Sequence, residues 1–136
     1  PLQVASHRGS VSLAHNGNLV NAHELRREME LKGSIFSTTS DTEVILHLMA
    51  RNPRTEVVES LIHALDEVDG AYSLLVLTEN GLIAARDPNG FRPLAMAELG
   101  DGRRCFGSES SAAGSFFSRR QRLTRLTLGV SVRVSE

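Results

Sequence analysis

The chain has one cysteine, Cys105, among its 136 residues. That excludes an intrachain disulfide framework and any multi-cysteine metal site, and it favours a reducing compartment. An excess of either charge is also lacking. Lys plus Arg number 15 and Asp plus Glu 16, for a formal net charge of −1, so nothing in the balance points to nucleic acid or an acidic membrane surface. The short basic run Arg119, Arg120, Arg122 and Arg125 reads as a solvated face. No apolar run approaches the roughly 20 residues that span a bilayer, and no signal peptide precedes the first strand. A cytoplasmic location is expected, with no membrane partner. His7, His23, His47 and His63 show no His-x-x-x-His spacing, so no metal site is expected either. Repeats, low-complexity tracts and long linkers are missing too, which leaves one domain or a piece of one.

What is present reads as helices followed by a meander of strands. Ser10 to Ala14 alternates as a half-buried strand, and Asn16-Gly17 follows as a turn. Asn21 and Glu24 have the spacing of a reciprocal helix cap. Ala22, Leu25 and Met29 form that helix's apolar stripe, and Gly33 ends it. Ser40 and Glu43 match the capping-box pattern, with Asp41 in the first turn and Val44, Ile45, Leu48 and Met49 on one face. A third helix is predicted over Thr55 to Glu67, burying Val58, Leu61, Ile62 and Leu65. Residues 71–78 form a buried strand, 82–86 return across Asn80-Gly81 as a hairpin, and 87–90 turn. Residues 93–99 and 103–110 read as further strands, and 126–136 as a closing one. The fold class is α+β, with helices on a largely antiparallel sheet.

Two features carry chemistry, each with a plain alternative. Asn16-Gly17 is either a tight turn or an oxyanion hole, in which the Asn side-chain N–H and the Gly backbone N–H stabilise a tetrahedral acyl intermediate. Asp41 is either a first-turn acid complementing the helix dipole or a carboxylate in a cleft that pairs with a substrate ammonium.

The segments Leu13–Asn21 (LAHNGNLVN), Phe36–Arg51 (FSTTSDTEVILHLMAR), Gly70–Thr78 (GAYSLLVLT), Leu82–Leu94 (LIAARDPNGFRPL) and Ser108–Ser110 (SES) occur in an order and spacing that resembles the class II glutamine amidotransferase domain of the amidophosphoribosyltransferase family. The resemblance covers residues 1 to about 111 and decays beyond Ala112. It implies an N-terminal-nucleophile hydrolase fold, a four-layer αββα sandwich of which residues 1–136 are a partial domain without the N-terminal strands. It implies that an N-terminal cysteine attacks the side-chain amide of glutamine with its own α-amine as base. Asn16 and Gly17 then form the oxyanion hole, and Asp41 binds the α-ammonium. These residues are expected to converge on one cavity. Ammonia passes to a phosphoribosyltransferase domain and displaces pyrophosphate from phosphoribosyl pyrophosphate, giving phosphoribosylamine, the first step of purine biosynthesis.

By the same resemblance the nucleophile lies upstream of Pro1, so the chain as written is not expected to hydrolyse glutamine. Magnesium is expected with the phosphoribosyltransferase domain. The iron–sulfur cluster of some members cannot be held by a single cysteine, and the full-length protein is expected to be a homo-oligomer. Cys105 is expected to be a buried structural thiol rather than a substitute nucleophile. His15 is expected to hold the turn by hydrogen bonding, and Arg86, Asp87 and Arg92 to pair and fix their loop. Ser111 has no assigned role. Two alternatives stand beside this reading: a non-catalytic glutamine-binding module, and an amidotransferase for another acceptor, such as glucosamine-6-phosphate synthase or asparagine synthetase. TTSDTE and GFRPL argue against the latter pair.

Overall fold

The computed structural model describes residues 1–6, 9–51, 56–98, 103–108, 123–125 and 134–135. Strands β1 (Leu2–Ser6) and β2 (Gly9–Leu19) lead into helices α1 (Ala22–Leu31), α2 (Asp41–Ala50) and α3 (Val57–Glu67). Strands β3 (Gly70–Thr78), β4 (Gly81–Arg86), β5 (Ala95–Glu98), β6 (Arg104–Gly107), β7 (Leu123–Arg125) and β8 (Val134–Ser135) follow. One sheet has the order β1-β2-β3-β4-β8 and the other β6-β5-β7, with every pairing antiparallel.

Strand alternation decides which layer each side chain enters. Val11, Leu13 and Leu19 on β2, Tyr72, Leu74 and Val76 on β3, and Ile83 and Ala85 on β4 share one face. They bury against Met29 of α1, Val44, Ile45, Leu48 and Met49 of α2, and Leu61, Ala64 and Leu65 of α3. Leu13, Ile45, Leu61 and Leu74 are fully buried, and each contributes about 1.5–3 kcal/mol by leaving water. The opposite face of β2 and β3 meets the second sheet. There Ser73 Oγ donates to the Pro93 carbonyl at 2.7 Å and Asn16 Nδ2 to Ser108 Oγ at 2.8 Å. The α+β class is as expected, and three layers in the order helix, sheet, sheet stand among the described residues.

Asn16-Gly17 is not a turn. β2 continues through it, pairing Asn16 with Ser73 and Gly17 with Tyr72, and the chain turns only at Val20 and Asn21. Glycine is needed at 17 for close approach. A Cβ there would lie 2.0 Å from the Ala71 carbonyl oxygen and 2.8 Å from Tyr72 Cα, far inside contact distance.

Both predicted caps are used differently. Asn21 starts α1 but makes no side-chain cap bond. Its carboxamide instead donates to the Glu67 carbonyl and accepts from the Asp69 N–H, each at 2.9 Å, tying α1 to the start of β3. Ser40 caps α2 through the Thr42 N–H, but Glu43 turns away from the Ser40 N–H. It takes four bonds from Ser37 and Thr38 instead. At the end of α1, Ser34 N–H returns to the Met29 carbonyl and Gly33 N–H to that of Glu30, with Gly33 at φ +95°. This is the left-handed termination predicted for Gly33.

α3 is described from Val57, so the predicted start at Thr55 lies outside the described residues. The strands predicted at 71–78, 82–86, 93–99 and 103–110 appear as β3 to β6 with boundaries shifted by one to three residues. Of the predicted closing strand, β8 is described at the β4 edge. His7, Ser110, Ser111, Arg119, Arg120 and Arg122 lie outside the described residues.

Candidate functional site

The tripeptide His15-Asn16-Gly17 is split between two faces by the two-residue period of β2. His15 enters the helix-facing layer with its side chain 3% exposed. Its Nδ1 stands 3.2 Å from Asp41 Oδ1 and 3.3 Å from Thr42 Oγ1, at the first turn of α2. The other Asp41 oxygen, Oδ2, accepts the Leu19 N–H at 3.1 Å. The Asp41 carboxylate is thus gripped from β2 on both oxygens while remaining 25% exposed. It opens onto a cleft of about 490 Å³ whose wall includes Gly17, Val20, His23, Arg26, Ser40 and Asp41. Arg26 is braced there, its Nη1 donating to the Thr38 carbonyl at 2.6 Å and its guanidinium stacked 4.3 Å from the Phe36 ring centre.

The approach to Asp41 is shaped by Glu43. Its buried carboxylate accepts the Ser37 N–H and Oγ–H at 2.8 and 2.9 Å, and the Thr38 N–H and Oγ1–H, both at 2.7 Å. Burial alone would raise its pKa, but these four donors overcome it and hold the group at about 2. Glu43 is therefore an anion at the centre of the segment that delivers Asp41.

Asn16 points the other way. Its carboxamide lies in a cavity of about 120 Å³ between the sheets, lined also by Ala14, His15, Ser73, Leu75, Leu94 and Ser108. Of the predicted site residues, the structure brings Gly17 and Asp41 to one cleft and places the Asn16 side chain in the other cavity. The expected convergence of all three on one cavity is not found. Strand alternation turns the Asn16 side chain to the face away from His15 and Asp41, whereas the Gly17 donor is a backbone N–H in the plane of the sheet. Sequence reasoning missed the His15–Asp41 bond, the Ser108 partner of Asn16 and the anchoring role of Glu43. Treating 9–19 as one alternating strand would have put His15 with the core positions 11, 13 and 19, and Asn16 across from them.

The RDPNGFRPL loop is built as its residues suggested, around an aspartate and an arginine. Asp87 is 1% exposed and accepts the N–H groups of Phe91 and Arg92 at 2.9 and 3.0 Å. Burial opposes ionisation, but those bonds and the neighbouring Arg86 keep its pKa below the ordinary aspartate value. Arg86 donates to the carbonyls of Gly90 and Arg92. Arg92 thus contributes its backbone rather than an ion pair with Asp87. Beneath this loop, burial first, then Asp87 and Asp66, push the Tyr72 hydroxyl up to about 12.

Cys105 is exposed, contrary to the expectation of a buried thiol. Its strand, β6, has four residues and lies at an edge of the three-stranded sheet, where nothing among the described residues covers it. No group of three His, Cys, Asp or Glu side chains among the described residues is placed to hold a metal ion. No helix among them is long and apolar enough to cross a membrane.

Residues 1–114 match the family model of the glutamine amidotransferase domain. The chain is 49% identical over 110 residues to amidophosphoribosyltransferase 2, chloroplastic, of Arabidopsis thaliana, covering 80% of this chain and 20% of that protein. It superposes on the glutamine phosphoribosylpyrophosphate amidotransferase from B. subtilis, complexed with ADP and GMP, with a TM-score of 0.80 and 35% identity. That match covers 96% of this chain and 32% of the other. The allosteric regulatory enzyme of purine biosynthesis gives a TM-score of 0.83 and 41% identity, covering 92% and 26%. The chain thus spans about a fifth of the length of the curated relative it matches at 49% identity.

Proposed function

Since the chain belongs to the glutamine amidotransferase domain family, we propose that it is the glutamine-handling part of an amidophosphoribosyltransferase. In this reading it releases ammonia from glutamine for attack on phosphoribosyl pyrophosphate, giving phosphoribosylamine and pyrophosphate. The observation that carries the proposal is the Asp41 carboxylate, held by two donors and open to the cleft that Gly17 also lines. An anion fixed at the mouth of a cleft suits the α-ammonium of an amino acid.

Gly17 lines the cleft with backbone alone, so a carboxamide approaches it without meeting a side chain. Asn16 offers its side-chain N–H from the other face of the same strand, donated to Ser108 in the absence of substrate. In the proposed reaction a thiolate adds to the glutamine carboxamide carbon. Gly17 stabilises the oxygen that becomes negative from the cleft it shares with Asp41, and Asn16 contributes once its carboxamide leaves Ser108 for the same oxygen. Ammonia then leaves, and water releases glutamate from the thioester. The thiolate is not Cys105, which is an exposed edge-strand residue without an α-amine. The proposal extends to a cytoplasmic, homo-oligomeric protein and to a magnesium ion serving the pyrophosphate donor. The described residues offer no cluster fitted to that ion, so no step is assigned to it in this chain.

The test is an assay of the intact protein for ammonia release from glutamine and for phosphoribosyl pyrophosphate consumed in proportion. Coupled turnover supports the reading. Glutamine binding without ammonia release supports a binding module instead, and transfer to fructose 6-phosphate or aspartate assigns a different acceptor.

A further inference from the structure

We propose that His15 is a positioning residue for α-ammonium recognition, fixing the Asp41 carboxylate so that its free lone pairs face the cleft. The inference deepens the reading above and rests on it. An ionised Asp41 can only accept, so the bond at 3.2 Å requires the imidazole proton on Nδ1. In the neutral ring that leaves Nε2 as a lone pair. Nε2 is buried and has no hydrogen-bond partner among the described residues. An imidazole with one nitrogen stranded in a core is a poor structural element, since an apolar side chain of similar size would fill the space without an orphaned acceptor. What the histidine alone supplies is the Nδ1–H.

The surroundings fit that single purpose. Oδ1 takes His15 and Oδ2 takes the Leu19 N–H, so the carboxylate is held at both ends and cannot turn about its Cβ–Cγ bond. Both donors belong to β2, one the His15 side chain and the other the backbone N–H of Leu19 four residues on, and the acceptor is the first residue of α2. The pair therefore locks the register of strand and helix at the same point where it aims the carboxylate. Gly17 belongs to the device as well: a Cβ there would lie 2.9 Å from His15 Nε2. Even a methyl group at 17 would press on the ring. Binding an ammonium by a carboxylate already fixed in direction avoids ordering that side chain on binding.

The experiment measures kcat and KM of the intact protein for L-glutamine and for glutaramate, its analogue without the α-amino group. It compares the parent with His15→Ala, His15→Asn and His15→Gln. Asn places an N–H near the Nδ1 position; Gln places one near Nε2. The parent is expected to prefer glutamine. In His15→Ala that preference should fall about 10- to 100-fold, the range of a hydrogen bond to a charged group. The fall should come through the KM for glutamine, with glutaramate kinetics unchanged. His15→Asn should restore most of the preference and His15→Gln little of it, a contrast that stands even if His15→Ala does not fold. Equal losses on both substrates, or Asn and Gln variants alike, would overturn the proposal. A parent that turns over both substrates equally would overturn the role of Asp41 itself, and a parent with no glutaminase activity would overturn the proposed function beneath it.

Discussion

Replacing Glu43 by glutamine isolates one carboxylate that shapes the site without touching the cleft. The side chain keeps its size, but an amide oxygen cannot accept four donors, and its NH₂ group would face two of them. Glu43 is held at about 2 against an ordinary value of 4.5. That difference of 2.5, at about 1.36 kcal/mol per unit, makes its ionised form worth about 3 kcal/mol to the folded state. The sign follows from the depression: the contribution is complete above pH 4.5 and is lost as pH falls through 2. Urea unfolding of parent and Glu43→Gln should therefore differ by about 2–3 kcal/mol at pH 7, with the gap closing between pH 4.5 and 2. His47 Nε2 stands 4.0 Å from the same carboxylate, so the pair is also compared in a His47→Gln background to remove that neighbouring imidazole. A gap under about 1 kcal/mol at neutral pH, the size of an ordinary neutral hydrogen bond, or one that does not change with pH, would refute the reasoning.

Gly17→Ala should destabilise the chain by about 3 kcal/mol or more, because the added carbon meets a backbone carbonyl rather than a movable side chain; thermal or urea unfolding reads it. Asn16→Ala in the intact protein should lower glutaminase turnover by about 10²–10³ while glutamine binding largely survives. Equal turnover in parent and variant removes Asn16 from the mechanism. Asn21→Ala should cost about 1–2 kcal/mol by removing two bonds at a partly exposed site. The loss should appear in amide exchange at the junction of α3 and β3 rather than as unravelling of α1.

The helices were legible because their signals are local. The stripe Val44, Ile45, Leu48 and Met49 is buried as its spacing predicts, and Gly33 ends α1 in the conformation only glycine adopts easily. The hairpin of β3 and β4 was legible for the same reason. What stayed hidden depends on partners far along the chain. Asn21 looks like a cap until residues 67–69 offer it better bonds, and Glu43 looks like half of a capping box until Ser37 and Thr38 fold back onto it. Asn16-Gly17 imitates a turn dipeptide, yet the opposing strand at Ala71 and Tyr72 decides that it stays extended. Cys105 could not be placed from its apolar neighbours, because edge position is a property of the sheet and not of the strand. His15, Asn16 and Gly17 adjoin in sequence, but the division of the His15 and Asn16 side chains between two layers follows from the strand that stands where a turn was expected.

The central claim is that Asp41 recognises the α-ammonium of glutamine from the head of α2. The most direct test is calorimetric titration of L-glutamine into the intact protein and into Asp41→Asn, which keeps the side chain's shape and removes its charge. The account predicts that affinity falls about 10- to 100-fold, as expected when an ammonium loses its ionic partner. Unchanged affinity in the asparagine variant would contradict it.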